Sequence, residues 1–231
     1  RPKDHYFSQR KKIGYMPKLY ILGGANGVGK TTWYQTGIEQ KYITAELPFI
    51  NVDTIVLKEL GGYTAENIAR GEQLARERMS ALIKENKDFM IESNLSKTSD
   101  YDWISAMRKQ GYDTVLFFLG TENVQINKER VQQRVLEGGH DIPPSLIEHR
   151  FQIGLSYLKS KILEFTEATL IDVSQKVPKQ MAVLRLSKIE YKHPEILPWA
   201  KETLHLAERL QQKLNISEEE KPKPNIRIRP K

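Results

Sequence analysis

The chain contains no cysteine. That absence excludes disulfides, thiolate metal ligands and a cysteine nucleophile. No run approaches the ~18 consecutive apolar residues that a membrane-spanning helix requires, so no span is expected. The first fifteen residues, RPKDHYFSQRKKIGY, are basic and polar with no apolar centre. A secretory leader is therefore not expected there, and a cytoplasmic location is. Blocks of Arg and Lys interleaved with aromatics are missing from the middle of the chain, which argues against a nucleic-acid surface.

What remains is an ordinary globular composition. The 231 residues are 39% hydrophobic and 28% charged, enough for one α/β domain. The net charge is +7, and part of the excess lies in the two ends, RPKDHYFSQRKK and KPKPNIRIRPK. This charge favours an anionic partner, with phosphorylated small molecules preferred to nucleic acid.

Five short apolar runs read as strands: LYILG (19–23), PFINV (48–52), DFMIE (88–92), DTVLFFL (113–119) and ATLIDV (168–173). They are continuous rather than alternating, as in strands covered on both faces. Helical stretches separate them. In 64–86, Ile68, Ala75, Met79, Leu82 and Ile83 share one face behind Thr64 as N-cap. A second helix runs from Ser99 to Lys109 and closes at Gly111. A third spans 122–137 and stops at Gly138-Gly139. A fourth follows Pro143-Pro144, with Ser145 to Glu148 reading as a capping box and Ile147, Phe151, Leu155, Leu158 and Ile162 as its apolar stripe. MAVLRLSKIEY (181–191) reads as a hairpin or edge-strand addition, and an amphipathic helix follows it.

The expected fold is therefore a three-layer α/β domain with a five-stranded parallel sheet, a C-terminal hairpin or edge addition, and a helical lid over 122–163. The expected divisions are an N-terminal extension over 1–17, a domain over 18–214 and a charged, disordered tail over 215–231.

Residues 24–31, GANGVGKT, match G-x-x-x-x-G-K-[ST] between the first strand and a helix. In such a loop Gly24, Gly27 and Gly29 allow the backbone N–H groups of Ala25, Asn26 and Val28 to wrap a phosphate. The helix N-terminus adds a positive partial charge. Lys30 reaches the β- and γ-phosphates, Thr31 serves Mg²⁺, and Thr32 completes the ATP-binding set. ATP and Mg²⁺ are the expected cofactors. A glycine turn that merely precedes a lysine would not need the strand and helix around it.

No hhhhDE segment follows, so the acids must be sought at strand ends, where open α/β sheets bind ligands. Asp53 follows FINV, Glu92 ends FMIE and Asp172 lies within TLIDV. Asp53 and Glu92 read as functional, and Asp172 reads as a loop cap. A kinase needs a carboxylate for the acceptor proton and cations for the transferring phosphoryl group. Arg130 and Arg134 share a helix face, and Arg150 stands on the next helix across GGHDIPPSLIEHR (138–150). The Gly pair and the Pro pair give that segment a flexible entry and a stiff exit. His140 and His149 lack a third ligand, so zinc is not expected. His140-Asp141 has no Ser or Cys nucleophile to serve.

KLYILGGANGVGKTT, FINVD, FMIESNLS and ERVQQRVLEGGHDIPPSLIEHRF together resemble the zeta toxin family, in particular its short bacterial P-loop kinase relatives. The resemblance covers about 18–175. It implies ATP-dependent phosphorylation of a UDP-activated amino sugar at its 3′-hydroxyl, and an antitoxin as a possible protein partner. It implies that Asp53 is the catalytic base and that Glu92 lies near metal or substrate. Arg134 and Arg150 would surround the γ-phosphate, with Arg130 competing for the place of Arg134. Where the family has Thr after the Glu, this chain has ESNLS, so Ser93 and Asn94 must supply the substrate contacts. Two rivals stand beside this reading: a kinase of another small molecule, such as a nucleoside or antibiotic, and a nucleotide-gated binding protein without a phosphoryl acceptor.

Overall fold

The computed structural model describes residues 16–137, 139 and 141–219. All five expected runs form strands: β1 (Lys18–Gly23), β2 (Phe49–Ile50), β3 (Phe89–Ser93), β4 (Asp113–Gly120) and β5 (Glu167–Asp172). They pair in parallel, and β6 (Lys179–Arg185) and β7 (Lys188–Lys192) add an antiparallel hairpin. The order is β2-β3-β1-β4-β5-β6-β7. β1 thus lies between β3 and β4, so the chain leaves its C-terminal end where the order switches direction. That crevice is where open α/β sheets bind ligands. The register levels Gly23 with Ser93 and with Phe118, bringing the ends of all three strands to one edge.

Most helices cover one face. α3 (Ala65–Lys84), α4 (Thr98–Lys109), α6 (Pro144–Lys161) and α7 (Pro198–Glu219) close the main core over Leu19, Ile21, Phe89, Leu116 and Leu170. On the other face α1 (Lys30–Glu39) and Ile43 and Leu47 cover Leu22, Met90, Leu119 and Ile171. Each fully buried side chain of this kind contributes about 1.5–3 kcal/mol, so the central strands form a rigid base for the loops at their ends. α2 (Val52–Lys58) and α5 (Val124–Leu136) pack beside that edge.

Four local expectations change. The 48–52 run yields a strand of two residues because Asn51 caps α2: its side-chain oxygen accepts from Thr54 N–H at 2.9 Å. Asp53 therefore stands in the first turn of a helix, not at a strand end. The capping box at Ser145 does not form, since the helix starts at Pro144 with Pro143 as N-cap and no side-chain cap. A proline pre-set at the first helical turn replaces that device, and Glu148 instead accepts from Lys128 Nζ at 2.8 Å. The last helix continues to Glu219, through residues 215–219 that were expected in the disordered tail. Residues 1–15, Gly138, His140 and 220–231 lie outside the described residues. Thr64 does cap α3, accepting from Asn67 N–H at 3.1 Å.

Tyr101 is fully buried between Tyr157 and Phe165. Its hydroxyl has no hydrogen-bond partner among the described residues, and burial holds its ionisation well above the usual tyrosine range. An unpartnered buried hydroxyl destabilises the folded state by about 1–3 kcal/mol. Tyr101→Phe should therefore raise the melting temperature by roughly 2–4 °C per kcal/mol recovered, measured by calorimetry. A fall of several degrees would show that the hydroxyl is satisfied.

Candidate active site

The loop between β1 and α1 is shaped by close approaches. Gly27 has φ +74° and a side-chain carbon there would meet the Asn127 carbonyl at 2.3 Å. At Gly24, φ +137°, it would meet the Leu119 carbonyl at 2.5 Å. Only glycine combines these angles with this proximity. Gly29 forms the N-cap of α1 with no side-chain cap bond, so the first-turn N–H groups and the helix dipole face the loop.

Lys30, 6% exposed, folds into that loop. Its Nζ donates to Gly24 O at 2.6 Å, Asn94 Oδ1 at 3.1 Å and Ala25 O at 3.3 Å, and lies 3.7 Å from Glu92 Oε1. Burial pushes the Lys30 ammonium below its usual range, opposed chiefly by the charge of Glu92. Burial likewise pushes the Glu92 carboxyl up, opposed by Lys30 and reinforced by the nearby charge of Asp53. Asn51 completes the chain: Nδ2 donates to Glu92 Oε2 at 2.6 Å while Oδ1 caps α2. One amide thus fixes the first turn of α2, and with it Asp53, relative to Glu92.

A second group clamps the loop from α5 and α6. Asn127, wholly buried, donates from Nδ2 to Asn26 O at 2.8 Å and accepts from Thr121 Oγ1 at 2.6 Å. Arg130 donates to Val28 O at 3.0 Å and Val173 O at 2.6 Å. Arg150 Nη1 donates to Asn26 Oδ1 at 2.7 Å.

Three adjoining cavities run along this edge. A largely apolar one of about 710 Å³ lies beside α1, between Trp33, Thr36 and Ile43 on one side and Val173 to Pro178 on the other. It shares Gly29, Thr32 and Arg130 with a polar cavity of about 360 Å³, lined also by Lys30, Thr31, Glu92, Gln133 and Arg134. That cavity shares Asn26 and Asp53 with a third, of about 280 Å³, lined also by Tyr63, Asn94, Leu146 and Arg150. Burial and the charge of Asp53 raise the Tyr63 ionisation.

Lys30, Thr31, Asp53, Glu92, Asn94, Arg130, Arg134 and Arg150 therefore converge. Ser93 turns elsewhere: its hydroxyl donates to Asp100 Oδ2 at 3.3 Å and accepts from Leu95 N–H at 3.0 Å. Asp172 binds Ser174 as a turn cap, accepting from its hydroxyl at 2.7 Å. Sequence reasoning missed Asn51, Asn127 and Tyr63. Asn51 carried one usable signal, a preferred N-cap residue followed two positions later by an acid, Asp53, of the kind favoured in a helix's first turn. Among the described residues no group of three or more His, Asp or Glu forms a metal site. The donors that fit Mg²⁺ are the Thr31 hydroxyl and the Asp53 and Glu92 carboxylates lining the polar cavity. Hard oxygen donors of this kind hold the ion together with substrate phosphates.

The fold and this loop define a P-loop nucleotide-binding protein of the kinase type. The profile of the zeta toxin family matches residues 3–184, and the chain belongs to that family. It is 32% identical over 147 residues to an uncharacterised protein of Haemophilus influenzae, covering 62% of this chain and 99% of that one. The AvrRxo1-ORF1:AvrRxo1-ORF2 complex with ATP superimposes with a TM-score of 0.60 at 15% identity, covering 85% of this chain and 64% of the solved one. This chain thus spans less than two thirds of that solved chain. The PezAT chromosomal toxin–antitoxin system of Streptococcus pneumoniae gives a TM-score of 0.50 at 16% identity, covering 89% of this chain and 90% of that one.

Asn127→Ala removes a buried tether between α5 and the loop, taking the donor from the Asn26 carbonyl and leaving the Thr121 hydroxyl only the Asn123 carbonyl. It should cost about 1–3 kcal/mol of stability by chemical denaturation and weaken ATP binding by calorimetry. Unchanged ATP affinity would mean that the loop keeps its shape without the Asn127 bond, held from α5 by Arg130.

Proposed function

We propose that this protein transfers the γ-phosphoryl group of ATP to a hydroxyl of a small-molecule acceptor. The observation that carries the reading is the position of Asp53, which lines both the cavity containing Lys30 and Thr31 and the cavity beyond it. A carboxylate between a triphosphate and an acceptor can take the acceptor's proton. The base of ATP occupies the apolar cavity and its phosphates the loop, against Lys30 and the N-terminus of α1. The acceptor oxygen attacks the γ-phosphorus as its proton passes to Asp53. The new O–P bond forms while the bond to the β–γ bridging oxygen breaks, and ADP leaves. Mg²⁺ on Thr31, with Glu92 or Asp53, supplies neutralisation of phosphate charge when bound. Lys30, Arg134 and Arg150 spread the remaining charge.

We assign residues 122–163 as the lid, with the cluster around Ile142 and Ile147 at its tip. Val131, Ile142 and Ile147 form a small cluster of their own, separate from the sheet cores, so this tip can shift without opening either core. The feet of both helices are fixed, by Asn127 to the loop and by Leu158 to the main core. Closure of the tip would exclude water and limit ATP hydrolysis.

A hydroxyl of a UDP-activated amino sugar is the acceptor that the family resemblance implies. An unphosphorylated small molecule, such as a nucleoside or antibiotic, is the alternative. An antitoxin partner is also part of the proposal, supported by family membership and by the toxin–antitoxin system among the similar structures. Acceptor-stimulated ADP formation with a phosphorylated product, read by mass spectrometry, tests the reaction. Tight ATP binding with no acceptor-dependent turnover would instead mark a nucleotide-gated switch.

Asp53→Asn keeps the shape but removes the base, and should lower transfer by about 10²–10⁴-fold. ATP affinity should stay within a few-fold. Equal loss of ATP binding would make Asp53 a metal ligand and move the base to Glu92. Arg150→Ala should lower kcat by more than it raises KM for ATP, because its charge is needed as the phosphoryl group moves. An unchanged kcat would remove Arg150 from the chemistry.

A further inference from the structure

The cavity beside α1 is walled by backbone groups that are largely in use already. On the side of the loop and α1, Val28 O accepts from Arg130 at 3.0 Å and Gly29 O from Trp33 N–H at 2.9 Å. Thr36 O accepts from Gln40 N–H at 2.9 Å, and Gly37 O from Tyr42 N–H at 2.8 Å and Ile43 N–H at 3.0 Å. On the facing side, Val173 O and Ser174 O accept from Arg130 at 2.6 and 3.4 Å. Val173 N–H donates to Gly120 O at 2.9 Å and Ser174 N–H to Asp172 Oδ2 at 3.3 Å. Pro178 has no N–H to offer. The guanidinium of Arg130 is itself committed to carbonyls of both walls.

What is left is open to water. The side chains of Thr32, Thr36, Gln40, Gln175 and Lys176 are exposed, as is the run 175–178, with Val177 at 71%. The fixed feature is an aromatic surface. Trp33 lies 5.2 Å from Phe117, which stacks on Tyr20 at 6.4 Å, so the indole is backed by the sheet. At about 710 Å³ the cavity is roomier than a purine requires, and a ring substituent has space at either edge.

A site rejects a near-isostere strongly only where the wrong group would leave a buried polar atom unpaired, whereas apolar contact discriminates by about 10–200-fold at most. Adenine and guanine present similar faces and differ in the groups along their edges. Among the described residues those edges would meet exposed groups, which water can satisfy for either base.

Resting on the reading that this cavity receives the base of ATP, we propose that the site selects its phosphoryl donor as a purine nucleoside triphosphate rather than as ATP in particular, so that GTP serves as a second donor. Trp33 takes the face of the base, Lys30 and the loop take the triphosphate, and the exocyclic groups stay hydrated. With GTP the acceptor oxygen bonds to the γ-phosphorus, its proton passes to Asp53, the bond to the β–γ bridging oxygen breaks and GDP leaves.

The test is calorimetry on the full chain in excess Mg²⁺ with the slowly hydrolysed analogues AMP-PNP and GMP-PNP and with inorganic tripolyphosphate, none of which needs an acceptor. The two nucleotides should bind within about tenfold of each other, the low end of what apolar contact can discriminate. Trp33→Ala should weaken both by a similar factor, roughly five- to a hundredfold, the range for one base–aromatic stack. Tripolyphosphate affinity should not move, which also shows that the variant is folded. Trp33→Phe keeps an aromatic face and should restore most of the loss. A preference above about tenfold for either nucleotide, with both still dependent on Trp33, overturns the proposal and leaves the base in this cavity. Nucleotide affinities unmoved by Trp33→Ala, or no tighter than that of tripolyphosphate, overturn the proposal and the placement of the base together.

Discussion

Lys30 carries a positive charge into a position almost closed to water, and the neighbouring groups are arranged around that fact. A buried ammonium without partners costs several kcal/mol, far more than any single neutral hydrogen bond returns. Two loop carbonyls, the Asn94 amide and the Glu92 carboxylate share the load. Glu92 in turn is desolvated, and Asn51 donates to it. The loop after β1, the end of β3 and the first turn of α2 are thereby joined through one polar chain. Asp53 inherits its position from that chain rather than from the sheet.

The same loop is gripped from the opposite side by α5 and α6. Asn127, Arg130 and Arg150 each bind an atom of residues 26–28, so the phosphate cavity is preorganised before any ligand arrives. Preorganised dipoles and charges stabilise developing charge without reorganising at the moment of reaction. Val131, Ile142 and Ile147 form an apolar cluster separate from both sheet cores, and Val131 also approaches Gly27 of the loop.

Much of this was readable in the sequence because the signals were local. GANGVGKT fixes its own backbone through glycine, and continuous apolar runs can be satisfied only inside a covered sheet. The reading failed where a single polar side chain decided the outcome. Asn51 ended a strand early, and its competing cap could not be weighed against the apolar pattern of PFINV. Asn127 looked like an indifferent helix position and is wholly buried, because the carbonyl it donates to, that of Asn26, lies about a hundred residues earlier in the chain. Ser145 had the residues of a capping box, but Pro144 already fixed the first turn. Ile68 matched the core stripe of α3 and lines a cavity instead, beside Val56 of α2 and Tyr63. Such outcomes depend on contacts distant in sequence, which periodicity does not encode.

The central claim is an orientation: the base of ATP in the apolar cavity beside α1, the triphosphate across the loop, and the γ-phosphate ending between Lys30 and Asp53. A crystal structure of the Asp53→Asn variant with ATP and Mg²⁺ tests it directly. The account predicts the adenine between Trp33 and the segment following Val173, with the γ-phosphate beside Lys30 and facing residue 53. Adenine in the cavity lined by Tyr63 and Leu146, or a γ-phosphate directed away from residue 53, would contradict it.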